Sequence, residues 1–136
     1  MKCQFKFIFA VLLVVWQSGC AVSREEIKAK EYFYKSIIID NTLAGIDNAI
    51  KTHRYWGKGQ CRLLVPELNI NPNDNSEGYM QLYAELGGPL GYDYKVYIEL
   101  KEANGKTYVE SYIKFRTDKI FIDAFEKIIN NPRQCF

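Results

Sequence analysis

Residues 79 to 101 constrain this chain most. Met80, Leu82, Ala84 and Leu86 are apolar, while Tyr79, Gln81, Tyr83 and Glu85 between them carry polar atoms. Gly87-Gly88-Pro89-Leu90-Gly91 breaks the pattern. Then Tyr94, Val96, Ile98 and Leu100 alternate with Asp93, Lys95, Tyr97, Glu99 and Lys101. A period of two sends successive side chains to opposite faces of a strand, so both segments predict strands with one covered and one wet face. Asn104-Gly105 predicts a two-residue hairpin, because both residues tolerate the positive φ that such a turn needs. The return strand then points Thr107, Val109, Ser111, Ile113 and Phe115 inward. A further strand is expected over Cys61 to Leu68, with Cys61, Leu63 and Val65 on one face. Asn71 to Gly78 reads as a polar turn-forming loop.

One covered face requires a cover, and the rest of the sequence supplies helices. Ser23-Arg24-Glu25-Glu26 has the form of a capping box. Ile27, Tyr34 and Ile38, then Leu43, Ile46 and Ile50, recur at helical spacing, with a break around Asp40 and Asn41. Asp40 is the expected cap of the second helix. Arg54 to Gln60, with Gly57 and Gly59, ends it. Thr117 is the expected cap of a last helix whose stripe is Ile120, Phe121, Ala124, Phe125, Ile128 and Ile129, ended by Asn130-Asn131-Pro132. The expected fold is α+β, a two-layer sandwich of one or two N-terminal helices, a four-stranded mainly antiparallel sheet and a C-terminal helix.

The first twenty residues point to the cell envelope. Lys2 and Lys6 precede an unbroken apolar run from Phe7 to Trp16, and Ser18-Gly19-Cys20 follows. That run is half the roughly 20 residues needed to span a bilayer, so it reads as an export signal. The residues before Cys20 resemble the bacterial lipoprotein signal, with Gln17 in place of the usual aliphatic residue. The resemblance implies cleavage before Cys20, diacylglycerol on its sulfur and acylation of its new amino group. Ala21 then implies sorting to the outer membrane. Ordinary secretion, with Gly19-Cys20-Ala21 as cleavage site, is the alternative. The expected organisation is a cleaved signal over 1–19, a lipid anchor and N-terminal helical segment over 20–39, and a single α+β domain over 40–136.

Charge excludes one class of partner. The chain has 18 Lys+Arg against 16 Asp+Glu, but Lys2 and Lys6 leave with the signal. The remainder is formally neutral, with no basic run to neutralise a phosphate backbone, so no nucleic acid is expected. Of four cysteines, Cys3 and Cys20 belong to the signal and anchor. Cys61 and Cys135 remain, in an oxidising compartment that favours a disulfide over two buried thiols or an intermolecular bridge. Two cysteines and one histidine do not make a zinc site.

The best candidate site is the wet face of the sheet. Tyr79, Tyr83, Tyr97, Tyr108 and Tyr112 fall on the outward register, with Glu85, Lys95, Glu99, Glu110 and Lys114 among them. Tyrosine offers large contact area at low rotamer entropy, and a face of mixed sign suits a protein or glycan partner. Tyrosine is also a good strand former, and cross-strand pairing alone accounts for it. No catalytic residue, cofactor or metal is expected. His53, near Trp56, has no local nucleophile and reads as a partly exposed helix-end histidine. A cleft there is the site of the alternative reading, a periplasmic hydrolase or binder of a small ligand or glycan. The pairs Glu25/Glu26 and Glu99/Glu110 show no sign of converging on a pocket. Asn71, Asn73, Asn75 and Glu77 repeat like calcium ligands, yet carry too little charge.

Ile46, Ile50, Tyr55-Trp56 and Gly59-Gln60-Cys61-Arg62-Leu63-Leu64-Val65, with Phe121-Ile122-Asp123-Ala124-Phe125 through Pro132, resemble the TolA/TonB C-terminal domain family. The resemblance covers two blocks, about thirty residues. It implies a strand beginning at Cys61, a disulfide from Cys61 to Cys135, and an envelope interaction domain without enzymatic activity. The expected function is a non-catalytic protein-binding lipoprotein, TolA-like or an inhibitor or immunity protein, tied to the membrane by its lipid and facing an envelope protein partner.

Overall fold

The alternating segments pair in the register their pattern predicts. Met80 lies opposite Ile98 and Leu82 opposite Val96, and Leu100 lies opposite Val109. A computed structural model describes residues 21–136, apart from the Leu90 side chain; the expected signal over 1–19 and Cys20 lie outside the described residues. The elements are α1 (Arg24–Ile27), β1 (Phe33–Ile39), α2 (Leu43–Gly57), β2 (Asn69–Asn71), β3 (Asp74–Glu85), β4 (Tyr92–Ala103), β5 (Lys106–Ile113) and α3 (Lys119–Asn130). The strands form one five-stranded sheet of order β1-β5-β4-β3-β2, antiparallel at every step. The class is α+β as expected, with five strands where four were expected.

The helices α2 and α3 cover one face. Leu43, Ile46 and Ile50 from α2 and Ile122, Phe125 and Ile128 from α3 meet Met80, Val96, Ile98, Leu100 and Val109 in one buried core. Each of those apolar side chains contributes about 1.5–3 kcal/mol by leaving water. The stripe of α3 is rotated from the expected one: Ile122 is fully buried, whereas Ile120 is exposed. The hairpin at Asn104-Gly105 forms, with φ of 55° and 73°.

The extra strand is the main departure. Phe33–Ile39 was expected within the N-terminal helical segment, yet it is β1, the strand beside β5. Three consecutive isoleucines after two aromatic residues favour the extended chain, where β-branched side chains keep their rotamers. The capping box at Ser23 and Glu26 does form, but its helix is a single turn. The expected boundary at residue 40 therefore runs between β1 and α2 of one fold. Thr42, not Asp40, caps α2 by accepting from Gly45 N–H. Leu43 N–H donates to Glu102 Oε2 at 2.8 Å, tying that end to the sheet.

Two other segments differ. Residues 61–68 are irregular, and only Asn69–Asn71 pair with β3. Pro66 removes a donor there, and Arg54 Nη1 of α2 holds the segment by donating to Val65 O at 2.7 Å. The expected loop 71–78 is instead a tight turn, after which β3 begins at Asp74. Asn71 accepts from Asn73 N–H and Asp74 from Ser76, so these polar side chains serve the turn. Asp118 rather than Thr117 precedes α3, and its carboxylate accepts from Phe115 N–H.

Candidate functional site

The face of the sheet away from α2 and α3 carries the expected tyrosines, and the chain itself divides that face into three parts. The middle part is covered. Residues 22–32 cross it, and Val22 and Ile27 are buried against Tyr97 and Tyr112, with Tyr32, Tyr79 and Tyr94 packed around them. Tyr97 is 3% and Tyr112 8% exposed. The expectation that both stand on a wet face is thereby corrected: α1 and its flanks are a lid that the period of β4 and β5 does not reveal.

Asp93 fixes the lid. Its carboxylate accepts from Val22 N–H at 3.0 Å, from Lys95 Nζ at 2.5 Å and from Lys114 Nζ at 2.7 Å. Tyr94 N–H donates to Val22 O at 2.9 Å. Burial alone would raise the Asp93 pKa, but these hydrogen bonds outweigh it and bring the group to about 2. Asp93 was expected outward and Tyr94 inward. A bulge at Lys95, where Tyr83 faces Tyr94 while Leu82 faces Val96, reverses the alternation so that Tyr94 joins Tyr97. Tyr112 donates to Glu110 Oε2 at 2.9 Å, and burial together with that bond pushes its pKa up to about 12.

The second part is a groove of about 580 Å³ between α1 and β2. Tyr79 stacks on Tyr97 with ring centroids 5.8 Å apart, and the Arg24 guanidinium lies 4.2 Å above the Tyr79 ring. Lys28 pairs with Glu99 at 2.9 Å and Lys101 with Glu77 at 3.5 Å. The groove is aromatic at its wall, and its rim mixes three cations, Arg24, Lys28 and Lys101, with the carboxylates of Glu77 and Glu99.

The third part is the open edge. β1 has β5 on one side and, among the described residues, no strand on the other. Ile38 is 61% exposed and stands opposite Tyr108, itself 45% exposed. Behind the edge, Ile37, Ile39, Glu126 and Ile129 line a groove of about 360 Å³ between β1 and α3. The run Ser36-Ile37-Ile38-Ile39 was the signal for this edge, but a helical reading absorbed it.

Of the expected face residues, Tyr79 lies in the first groove, Tyr83 is exposed at the β3–β4 end and Tyr108 belongs to the open edge. Lys95 is half-buried on Asp93, and Glu99 is half-buried on Lys28. Cys61 and Cys135 form a disulfide, S–S 2.08 Å; it joins the loop after α2 to the C-terminal tail, not a strand to α3. Among the described residues no group of His, Cys, Asp and Glu side chains is arranged to hold a metal ion.

His53 was expected to be partly exposed, and it is fully buried. Its Nδ1 lies 3.2 Å from Pro132 O, so this nitrogen must donate and the neutral ring leaves Nε2 as an acceptor. Among the described residues that Nε2 has no hydrogen-bond partner, and Phe136 stacks on the ring at 6.3 Å. Burial lowers its pKa. A ring without solvent-accessible surface has no cleft in which to meet a substrate, and Trp56 is only half-buried beside it in the same helix.

The described chain thus defines a small α+β domain with an open antiparallel sheet, lidded at its centre and bare at one edge. Comparison with protein families, with characterised proteins and with solved structures finds no match to the chain.

Proposed function

We propose that this chain is a small bacterial envelope lipoprotein, held at the outer membrane by Cys20, whose domain binds a protein partner without catalysis. Residues 2 to 20 support the address. The role rests above all on one observation, the edge of β1, bare among the described residues, with Ile38 and Tyr108 beside it and the α3 groove behind it. An extended segment of a partner can pair its backbone with β1. Its alternate side chains then reach the Ile38–Tyr108 strip on one face and the Ile37–Ile129 groove on the other. Backbone bonds supply affinity in this mode and the pockets supply specificity. The role is that of an interaction domain of the TolA kind, or of an inhibitor or immunity protein. Of the tyrosines on that face, Tyr79, Tyr83 and Tyr108 remain accessible to a partner, whereas Tyr97 and Tyr112 serve the lid.

A photo-reactive residue at Tyr108 in intact cells tests this, with one at Lys127, exposed on α3, as control. A discrete adduct from Tyr108 alone is expected. No adduct from Tyr108 in a folded, abundant protein rejects the reading.

The groove over Tyr79 favours a second reading, a binder of a small polar ligand or glycan. Its volume of about 580 Å³ lies in the range of small-molecule sites, and its ion pairs hold polar groups in place around an aromatic wall. Saturable binding of oligosaccharide fragments that is lost in Tyr79→Ala supports it; the same loss in Tyr108→Ala does not.

A further inference from the structure

The two ends of the sheet differ in chemistry. One end carries the turns Asp40-Asn41, Asn71-Pro72-Asn73 and Asn104-Gly105, polar apart from the proline. The other end is formed by the β3–β4 hairpin, the exit of β5 and the start of α3. It exposes Tyr83, Leu86, Tyr92, Phe115 and Ile120. Tyr83 meets Tyr92 edge-on with centroids 4.9 Å apart. Lys95 and Lys114 place their ammonium groups 5.2 and 5.1 Å from the Phe115 ring. Apolar side chains among tyrosines match the chemistry of a membrane–water interface.

The first described residues lie at this same end. Val22 is docked there through Asp93 and Tyr94. Cys20 is two residues away, at most about 7 Å of extended chain. A tether this short leaves the domain no room to stand off from the lipid that holds it.

We propose that this end of the sheet lies on the lipid surface. Tyr83, Leu86, Tyr92 and Phe115 enter the headgroup region, and the strands stand up from the membrane. The β1 edge and its groove then face sideways, open to a partner along their whole length. The inference rests on the reading of Cys20 as lipid-modified.

The test uses the full chain, purified from a bacterial envelope and placed in vesicles of phosphatidylethanolamine and phosphatidylglycerol. One preparation carries Leu86→Cys and another Asn104→Cys, each bearing an environment-sensitive fluorophore, with nitroxide-labelled lipid as quencher. Phe115→Cys provides a second reporter at the same end if Leu86→Cys does not fold. Intact mass reports the acyl groups on Cys20. The expected result is quenching several-fold greater at position 86 or 115 than at 104. Equal or reversed quenching on an acylated, vesicle-bound protein overturns the proposed orientation and leaves the anchor reading standing. A mass without acyl groups overturns the anchor reading, and the orientation falls with it.

Discussion

At the scale of single residues, Asp93 has the largest consequence. It joins two lysines and the backbone of Val22, three donors from three separate stretches of chain. Its folded-state pKa of about 2 lies below the ordinary 3.8. Its contribution is therefore complete above pH 3.8 and is lost as pH falls through about 2. The shift corresponds to about 2 kcal/mol at neutral pH. Asp93→Asn is expected to lower stability by that order at pH 7, measured by urea unfolding, and the gap from wild type should close between pH 4 and pH 2. A constant gap across that range contradicts the role given to its charge. His53 has the opposite character. Held neutral by burial, it marks where the C-terminal tail closes over α2, a structural part that its sequence neighbours Arg54 and Trp56 do not disclose.

At the scale of elements, the disulfide and the lid do what the short helices cannot. Cys61 and Cys135 are 74 residues apart in sequence, and closing a loop of that length removes unfolded-state entropy worth about 4 kcal/mol in the chain-entropy model. Gly57 ends α2 directly against it: a Cβ at this position would lie 2.8 Å from Leu64 Cδ2 and 3.0 Å from Cys61 Sγ. Cys135→Ser is expected to cost several kcal/mol, about 4, and to loosen Phe136 from His53, visible as faster amide exchange at the end of α2. Unchanged exchange there, with the disulfide absent, shows that the tail is held by packing alone.

At the scale of the whole molecule, the sheet has two unlike faces and two unlike ends, and each needs its own cover. The helices cover one face except for the groove between β1 and α3. Residues 21–32 cover only the middle of the other, burying Val22 and Ile27. Deleting residues 21–32 is expected to cost about 3–6 kcal/mol, from those two side chains at about 1.5–3 kcal/mol each, and to expose Tyr97 and Tyr112. Hydrophobic-dye binding to the truncated domain measures this, and no gain in dye binding means that the lid is not needed to keep that face dry.

Much of this architecture follows from the sequence by itself. The β3–β5 meander, the hairpin at Asn104-Gly105, the capping box at Ser23, the apolar cover of α3 and the pairing of the last two cysteines all rest on local rules. Periods of two and 3.6, turn residues and a count of thiols need no knowledge of distant contacts. What tertiary structure decided is of another kind. Ile37 to Ile39 fit a helical stripe as well as a strand, and pairing with β5, some seventy residues away, selected the strand. The bulge at Lys95 reversed the faces of Tyr94 and Asp93, and Asp93 there gathers Val22 and Lys114, contacts that no local pattern announces. Tyr97 and Tyr112 have the alternation of exposed residues and are buried, since a segment remote in sequence lies over them. Local pattern sets which side of a strand a residue takes; only the packed chain determines which side meets water.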